Sequence, residues 1–448
     1  LSFFHFRSML VQQHIYQELG AVQRRRLHKK VGEFLEELYG DKWADVAGQL
    51  AAHFRIAREW KKALLYAIEA ARYSKRIYAN HEAIRNYRVA LELWELAPDK
   101  DLNAKLNLLQ EVGEVYKNIA NLDEALTTYG QILELAGTND RRNVRAAGLN
   151  GLGDVHRYRG DYQQALPYYV ECELIAQELS DENMLIEVWT DLTDLYYRLW
   201  MDALAKGAAE AAAYRAKSEE YGLRVTENAE RLHALENLRR AYITLGNLKL
   251  HDKHYDEAES HYQEATALAE RHNLPLKSLN NLGEIRRLQG QYDEALRYYT
   301  RCAEWATKTG AVRHEIMTCN NIGLVHLSKQ DFEQARDFFD QALELNRPLR
   351  KRFSAVLSLT GKGLTFELQG ATTLALDLYR EAMKLAELPA AATIGDIYGA
   401  IGKLLHAYHE YEIAGYFLTK YADYVPAAKS EIHHVLNGRQ FVQEKASQ

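Results

Sequence analysis

The chain has 448 residues, 47% of them hydrophobic and 26% charged, with 56 basic and 62 acidic side chains and a net charge of −6. That composition excludes disordered and collagenous chains. The mild acidity argues against non-specific nucleic-acid binding. No apolar run approaches the roughly 20 residues that a membrane-spanning helix needs.

In chain order, residues 1–40 come first. Phe3, Phe6, Leu10, Ile15 and Leu19 give a loose apolar spacing, and Leu27, Val31, Phe34, Leu35 and Leu38 then give a clear helical stripe. The chain starts at Leu1 with no charged-then-apolar secretory signal, so it reads as a fragment or a processed chain. Residues 41–102 read as further helices in which Ala63, Ala67 and Ala70, then Ala83, Tyr87 and Ala90, share helical faces. Pro98 and Asp99 mark the exit from this block. Only 6 prolines occur in the whole chain, which favours continuous helix.

From residue 103 to 425 the sequence repeats. Gly113, Gly153, Gly246, Gly283, Gly323, Gly363 and Gly402 are each followed, twelve residues on, by an alanine: Ala125, Ala165, Ala258, Ala295, Ala335, Ala375 and Ala414. Most neighbouring glycines are 37 to 40 residues apart. The gap from Gly153 to Gly246 is 93, so one degenerate copy lies near Thr193 with an insertion of about 13 residues at 200–215. Four residues after each alanine comes a ring, Tyr129, Tyr169, Tyr262, Tyr299, Phe339 or Tyr379; Leu418 takes that place in the last unit. Each unit predicts two amphipathic helices joined by a short turn. A mid-helix glycine costs about 1 kcal/mol, so seven at one phase require a common cause. Close approach of two helices supplies it, with the ring filling space against the next helix. Gly160, Gly290 and Gly370 read as helix C-caps, and Asp161 and Asp331 as N-caps of the following helices.

This pattern resembles the tetratricopeptide-repeat family, with units nearer 40 residues than the usual 34. The resemblance implies an all-α fold, a right-handed superhelical solenoid of about eight helix-turn-helix units. Residues 426–448 read as a final helix and polar tail. A second resemblance lies at the N-terminus. Phe4, Phe6, Arg7, Leu10, Val11, Gln12, Ile15 and Tyr16, then Arg25, Arg26, Leu27, His28 and Val31, are similar to the end of the winged-helix region of STAND-type signal-transduction ATPases. Residues 41–102 resemble the linker helices or degenerate repeats of that family. The implied protein is a regulator whose ATPase lies upstream and whose repeats sense a ligand. Gly361-Lys362 and Gly402-Lys403 lack the upstream glycine of a phosphate-binding loop, having Val356 and Ile397 there.

Functional residues are expected on the first helix of each unit, which lines the inner groove in the repeat family. The positions are three before, one after and four after each glycine. They give Glu114 and Lys117; Asn150, Asp154 and Arg157; Asn247; Asn280, Glu284 and Arg287; and Asn320. Gln110, Leu324, Leu327, Thr360, Leu364 and Glu367 occupy the same places. An asparagine both donates to and accepts from a peptide bond, which suits an extended peptide; the bland alternative is contact between adjacent units. The expected ligand is a peptide, protein or small-molecule inducer, with the ATPase and winged-helix domain as intramolecular partners. Nucleic acid, membrane, metal and cofactor are not expected, and neither is catalysis in this chain. His251, His254 and His261 share no helix face, and no nucleophile or zinc motif occurs. Cys172, Cys302 and Cys319 read as reduced, buried thiols of a cytoplasmic protein. The alternative is a stand-alone scaffold binding linear motifs.

Overall fold

The computed structural model describes residues 14, 16–77, 79–98, 100–119, 121–138, 141–205, 208–347, 352–388, 393–407 and 411–425. The first part of the winged-helix resemblance, except Tyr16, and the 426–448 tail lie outside these residues. Every long regular element among them is an α-helix. Two compact units form, residues 1–188 and residues 189–448.

The first unit holds α1 (Ala21–Tyr39), a 3-10 turn (Gly40–Val46), α2 (Ala47–Ala57), α3 (Trp60–Arg76), α4 (Asn80–Leu96), α5 (Leu102–Asn118), α6 (Leu122–Thr138), α7 (Arg142–Arg159) and α8 (Tyr162–Leu179). Helix α9 (Glu182–Ala205) carries the boundary. The second unit continues with α10 (Ala211–Asn228), α11 (Leu235–His251), α12 (Tyr255–His272), α13 (Ser278–Leu288), α14 (Tyr292–Thr309) and α15 (Val312–Ser328). It ends with α16 (Phe332–Asn346), α17 (Arg352–Leu368), α18 (Thr372–Leu385), α19 (Ile394–Ala407) and α20 (Tyr411–Tyr424). Within each unit, apart from α9, helices that follow one another pack together, and the tightest pairs include the predicted hairpins, such as α7 with α8 and α15 with α16.

The glycine phase has a direct cause. All seven repeat alanines, from Ala125 to Ala414, are fully buried. The ring four residues later lies on the glycine of its own hairpin. A Cβ on Gly153 would sit 2.8 Å from the Tyr169 ring, on Gly283 2.6 Å from Tyr299, and on Gly363 2.4 Å from Tyr379. The same holds at Gly113, Gly246 and Gly323, and Leu418 covers Gly402. The sequence placed each ring against the next helix. That contact exists too where the next unit offers a second glycine, as Tyr129 does at Gly151 and Phe339 at Gly361. The ring is therefore clamped from both sides.

The pattern reaches further than the glycines. In α3 and α4, Ala71 stands where a repeat glycine would, twelve residues before Ala83, and Ala71, Ala83 and Tyr87 are all fully buried. The degenerate unit uses Thr193 and Ser218, both fully buried, and the Ser218 hydroxyl donates to the Thr193 carbonyl at 2.8 Å. Helix α9 of this unit, at 24 residues, is the longest helix described.

Gly160, Gly290 and Gly370 have φ of 89°, 76° and 80°, the left-handed conformation that ends a helix without a Cβ penalty. The N-cap expectation fails in detail. Asp161 and Asp331 hold the N-cap positions but make no side-chain cap bond. Each carboxylate turns instead toward a histidine of the preceding helix, His156 at 3.8 Å and His326 at 3.5 Å.

Candidate ligand-binding face

The first helices carry the residues singled out from the sequence, and many of them serve the fold. In the first unit Asp154 is buried between Lys117 of α5 and Arg157 of its own helix. The Tyr169 hydroxyl donates to the same carboxylate at 2.7 Å, and Arg157 Nε donates to that hydroxyl oxygen at 3.1 Å. Burial acts to raise the Asp154 pKa, but the two cations overcome it and hold the carboxyl well below the usual range.

In three hairpins the residue after the glycine accepts from the ring opposite it. Tyr169 donates to Asp154, Tyr262 to Asn247 at 2.7 Å, and Tyr299 to Glu284 at 3.1 Å. Where the ring is Phe339, without a hydroxyl, the matching position is Leu324, without an acceptor. Tyr379 has Leu364 at that place and donates instead to Glu367 at 2.7 Å. Tyr398 and Tyr416 converge on the same Glu367 at 2.6 and 2.8 Å. A buried tyrosine needs a hydroxyl partner, and this pairing at a separation of 15 residues was readable in the sequence.

The asparagines join neighbouring units. Asn281 Nδ2 donates to Asn247 Oδ1 at 2.8 Å, Asn321 Nδ2 to Asn280 Oδ1 at 2.9 Å, and the Ser358 hydroxyl to Asn320 Oδ1 at 2.7 Å. Asn150 Nδ2 reaches Glu187 at 3.4 Å in the first unit. Asn320 is only 1% exposed, so its expected place on an open groove is corrected: it is an inter-unit rung. Asn150 and Asn280 are also buried. Arg287 is buried and held in a two-pronged pair with Glu284, at 2.7 and 3.0 Å.

Charged pairs on the first helices of the first unit stay more open. Arg72 meets Glu111 at 2.7 Å, Lys75 pairs with Glu114, and Glu114 is 50% exposed. The Tyr87 hydroxyl also donates to Glu111 at 2.7 Å. Arg72, Lys75, Arg76 and Glu111 line a shallow, open depression of about 570 Å³.

The histidine trio goes three ways: His251 packs edge-on to Trp200, His254 faces Glu257 at 3.3 Å, and His261 lies against Tyr242. Among the described residues no group of His, Cys, Asp or Glu is placed to hold a metal ion, and no helix is long and apolar enough to cross a membrane. The three cysteines are buried, and burial pushes the Cys319 thiol up to about 12.

Comparison with known proteins agrees with the hairpin geometry. Tetratricopeptide-repeat models match residues 149–181, 240–272, 275–347 and 315–388. A human protein, SH3 domain and tetratricopeptide repeat-containing protein 2, is 25% identical over 256 residues, 56% of this chain. The chain spans only 19% of that protein's length. Among solved structures, a STAND protein with a tetratricopeptide-repeat sensor, PH0952 from Pyrococcus horikoshii, superposes with a TM-score of 0.54 at 14% identity, over 96% of this chain and 67% of that one. A Rap protein complexed with Competence and Sporulation Factor gives 0.53 at 16% identity, over 82% of this chain and 98% of that one. At such identities the likeness is one of fold. The chain is thus an all-helical protein that carries tetratricopeptide repeats.

Proposed function

We propose that this chain is the non-catalytic sensing region of a STAND-type regulator. Its first helices bind a peptide, protein or small-molecule inducer, and binding relieves autoinhibition of an ATPase elsewhere in the protein, in the cytoplasm. The observation that carries this reading is the line of ion pairs between successive first helices, Arg72–Glu111, Lys75–Glu114 and Lys117–Asp154. These charges hold neighbouring hairpins together, so a charged ligand that competes for them favours one spacing of hairpins over another. Coupling requires such a difference in affinity between two states. A second feature supports the intramolecular partner. Leu27, Val31, Phe34 and Leu38 form an exposed apolar stripe on α1, within the segment that resembles the winged-helix region, and such a stripe fits a neighbouring domain.

The test uses the full-length natural protein. Its upstream sequence should contain a phosphate-binding loop, and Glu114→Lys should abolish the response to inducer without unfolding the repeats. A normal response in Glu114→Lys overturns the groove assignment. Absence of an upstream ATPase favours the alternative, a scaffold binding linear motifs, to which the match with the human SH3-containing protein lends weight.

A further inference from the structure

The second unit holds one fully buried guanidinium with a donor that its neighbours do not satisfy. Arg239, near the start of α11, is 1% exposed. Its Nε and Nη2 donate to Glu236, Nε at 2.8 Å, while Nη1 is buried with no hydrogen-bond partner among the described residues. A buried guanidinium donor is normally satisfied, so an orphan here points to a group that the chain itself does not supply.

The surroundings repeat the sign. Helices α11, α13 and α15 lie side by side, joined by the Asn281–Asn247 and Asn321–Asn280 rungs. Lys277 is the N-cap residue of α13, whose first turn has no acidic residue and no side-chain cap. That leaves the positive end of the helix dipole uncompensated. Lys277 makes no ion pair with a described carboxylate, and burial, then Arg239 and Arg240, lower its pKa; Glu236 alone opposes them. Arg240 itself is taken by Asp191 at 2.6 Å. From α15, His314 stands edge-on to Trp305 at 5.5 Å. It is pushed down to about 4 by burial and by Lys277, Arg239 and Arg313.

From the orphan Nη1 of Arg239, the uncapped N-terminus of α13 at Lys277 and His314 on the neighbouring α15, we infer a binding site for a phosphate group. The buried Nη1 donates one hydrogen bond in fixed geometry. Lys277 and the positive end of α13 face the charge of a phosphate, about −1.5 to −2. His314 is a neutral donor that takes up a proton as the anion arrives. None of these residues was among those expected to line the groove, and the site stands whether or not the groove takes a peptide.

The experiment is titration of the full chain with inorganic phosphate at constant ionic strength, by calorimetry and by NMR of the His314 ring. The expected result is saturable binding, a rise of a unit or more in the His314 pKa, and affinity about tenfold weaker in Lys277→Gln. Arg239→Gln leaves Glu236 unpaired, so Lys277→Gln is the primary variant and its circular dichroism checks the fold. Absence of saturable binding, wild-type affinity in Lys277→Gln, or an unmoved His314 would overturn the site. Acetate binding as tightly as phosphate would overturn the assignment to phosphate.

Discussion

Gly151→Ala tests the ring clamp most severely. A Cβ at position 151 would lie 2.2 Å from both Cδ1 and Cε1 of Tyr129. Carbon atoms pack best at roughly 3.5–4.0 Å, so the ring or the helix has to move by more than about 1 Å. Tyr129 has nowhere to go: it is buried, and its other face lies on Gly113, where a Cβ would already be 2.9 Å away. Alanine gains about 1 kcal/mol over glycine in a helix, while overpacking costs about 1–3 kcal/mol. The distance puts this site at the upper end, so the net change should be a loss of about 2 kcal/mol. Gly130, in the middle of α6 of the same unit, is the control, since nothing lies within 4 Å of its Cβ position. Gly130→Ala should therefore stabilise by about 1 kcal/mol. Urea denaturation followed by far-ultraviolet circular dichroism measures both. The double variant with Tyr129→Ala should erase the Gly151→Ala penalty, because the two residues touch. Equal stabilisation by both glycine substitutions, or a penalty that survives loss of the ring, would refute the clamp.

Other outcomes follow from the buried polar groups. Asp154→Asn removes the shared partner of Lys117 and Arg157 and should cost about 3–5 kcal/mol in a denaturant titration. The folded pKa of Asp154 is depressed, so its stabilisation is present above its unfolded value near 3.9 and is lost as pH falls through the folded one. Acid melts of wild type and Asp154→Asn should converge toward low pH. His314 behaves in the opposite sense, with a folded pKa lowered from 6.5 to about 4. The folded state prefers it neutral, so its burial costs nothing above pH 6.5 and about 3 kcal/mol by pH 4. His314→Gln should flatten stability between those values. Ser358→Ala should cost about 1–3 kcal/mol by leaving buried Asn320 Oδ1 without its donor.

The repeat was legible because one steric demand recurs in the same register. Gly283 and Tyr299 must be neighbours in every copy, and the covalent spacing of two helices and a turn fixes where they fall. Ala71 hid one further unit, since an alanine fills the glycine's place and breaks the pattern, whereas the 93-residue gap pointed to the degenerate copy at Thr193. The functional positions were harder to read. Asn280 and Asn320 looked outward on a helical wheel, but a wheel does not contain the neighbouring helix that accepts or supplies their hydrogen bonds. Asp154 and Glu284 were correctly placed on first helices, yet their tyrosine partners lie across the hairpin. Arg239 gave no signal at all, because burial of a guanidinium depends on packing between units and leaves no mark in local sequence.

The inter-unit rungs have a consequence for how such a chain changes length over generations. Asn280 and Asn320 stand at the same offset from Gly283 and Gly323. Excising residues 284–323 would join Gly283 to Leu324 and leave Ser358 facing Asn280 instead of Asn320. The Asn281–Asn247 rung would be untouched. A deletion of one whole period thus hands each surviving hairpin a familiar neighbour, whereas the loss of a few residues inside a helix rotates the rest of that helix off its partners. Repeat number is therefore open to recombination, and length varies where the rungs survive it, as between Gly246 and Gly283, 37 residues apart and still joined by Asn281–Asn247.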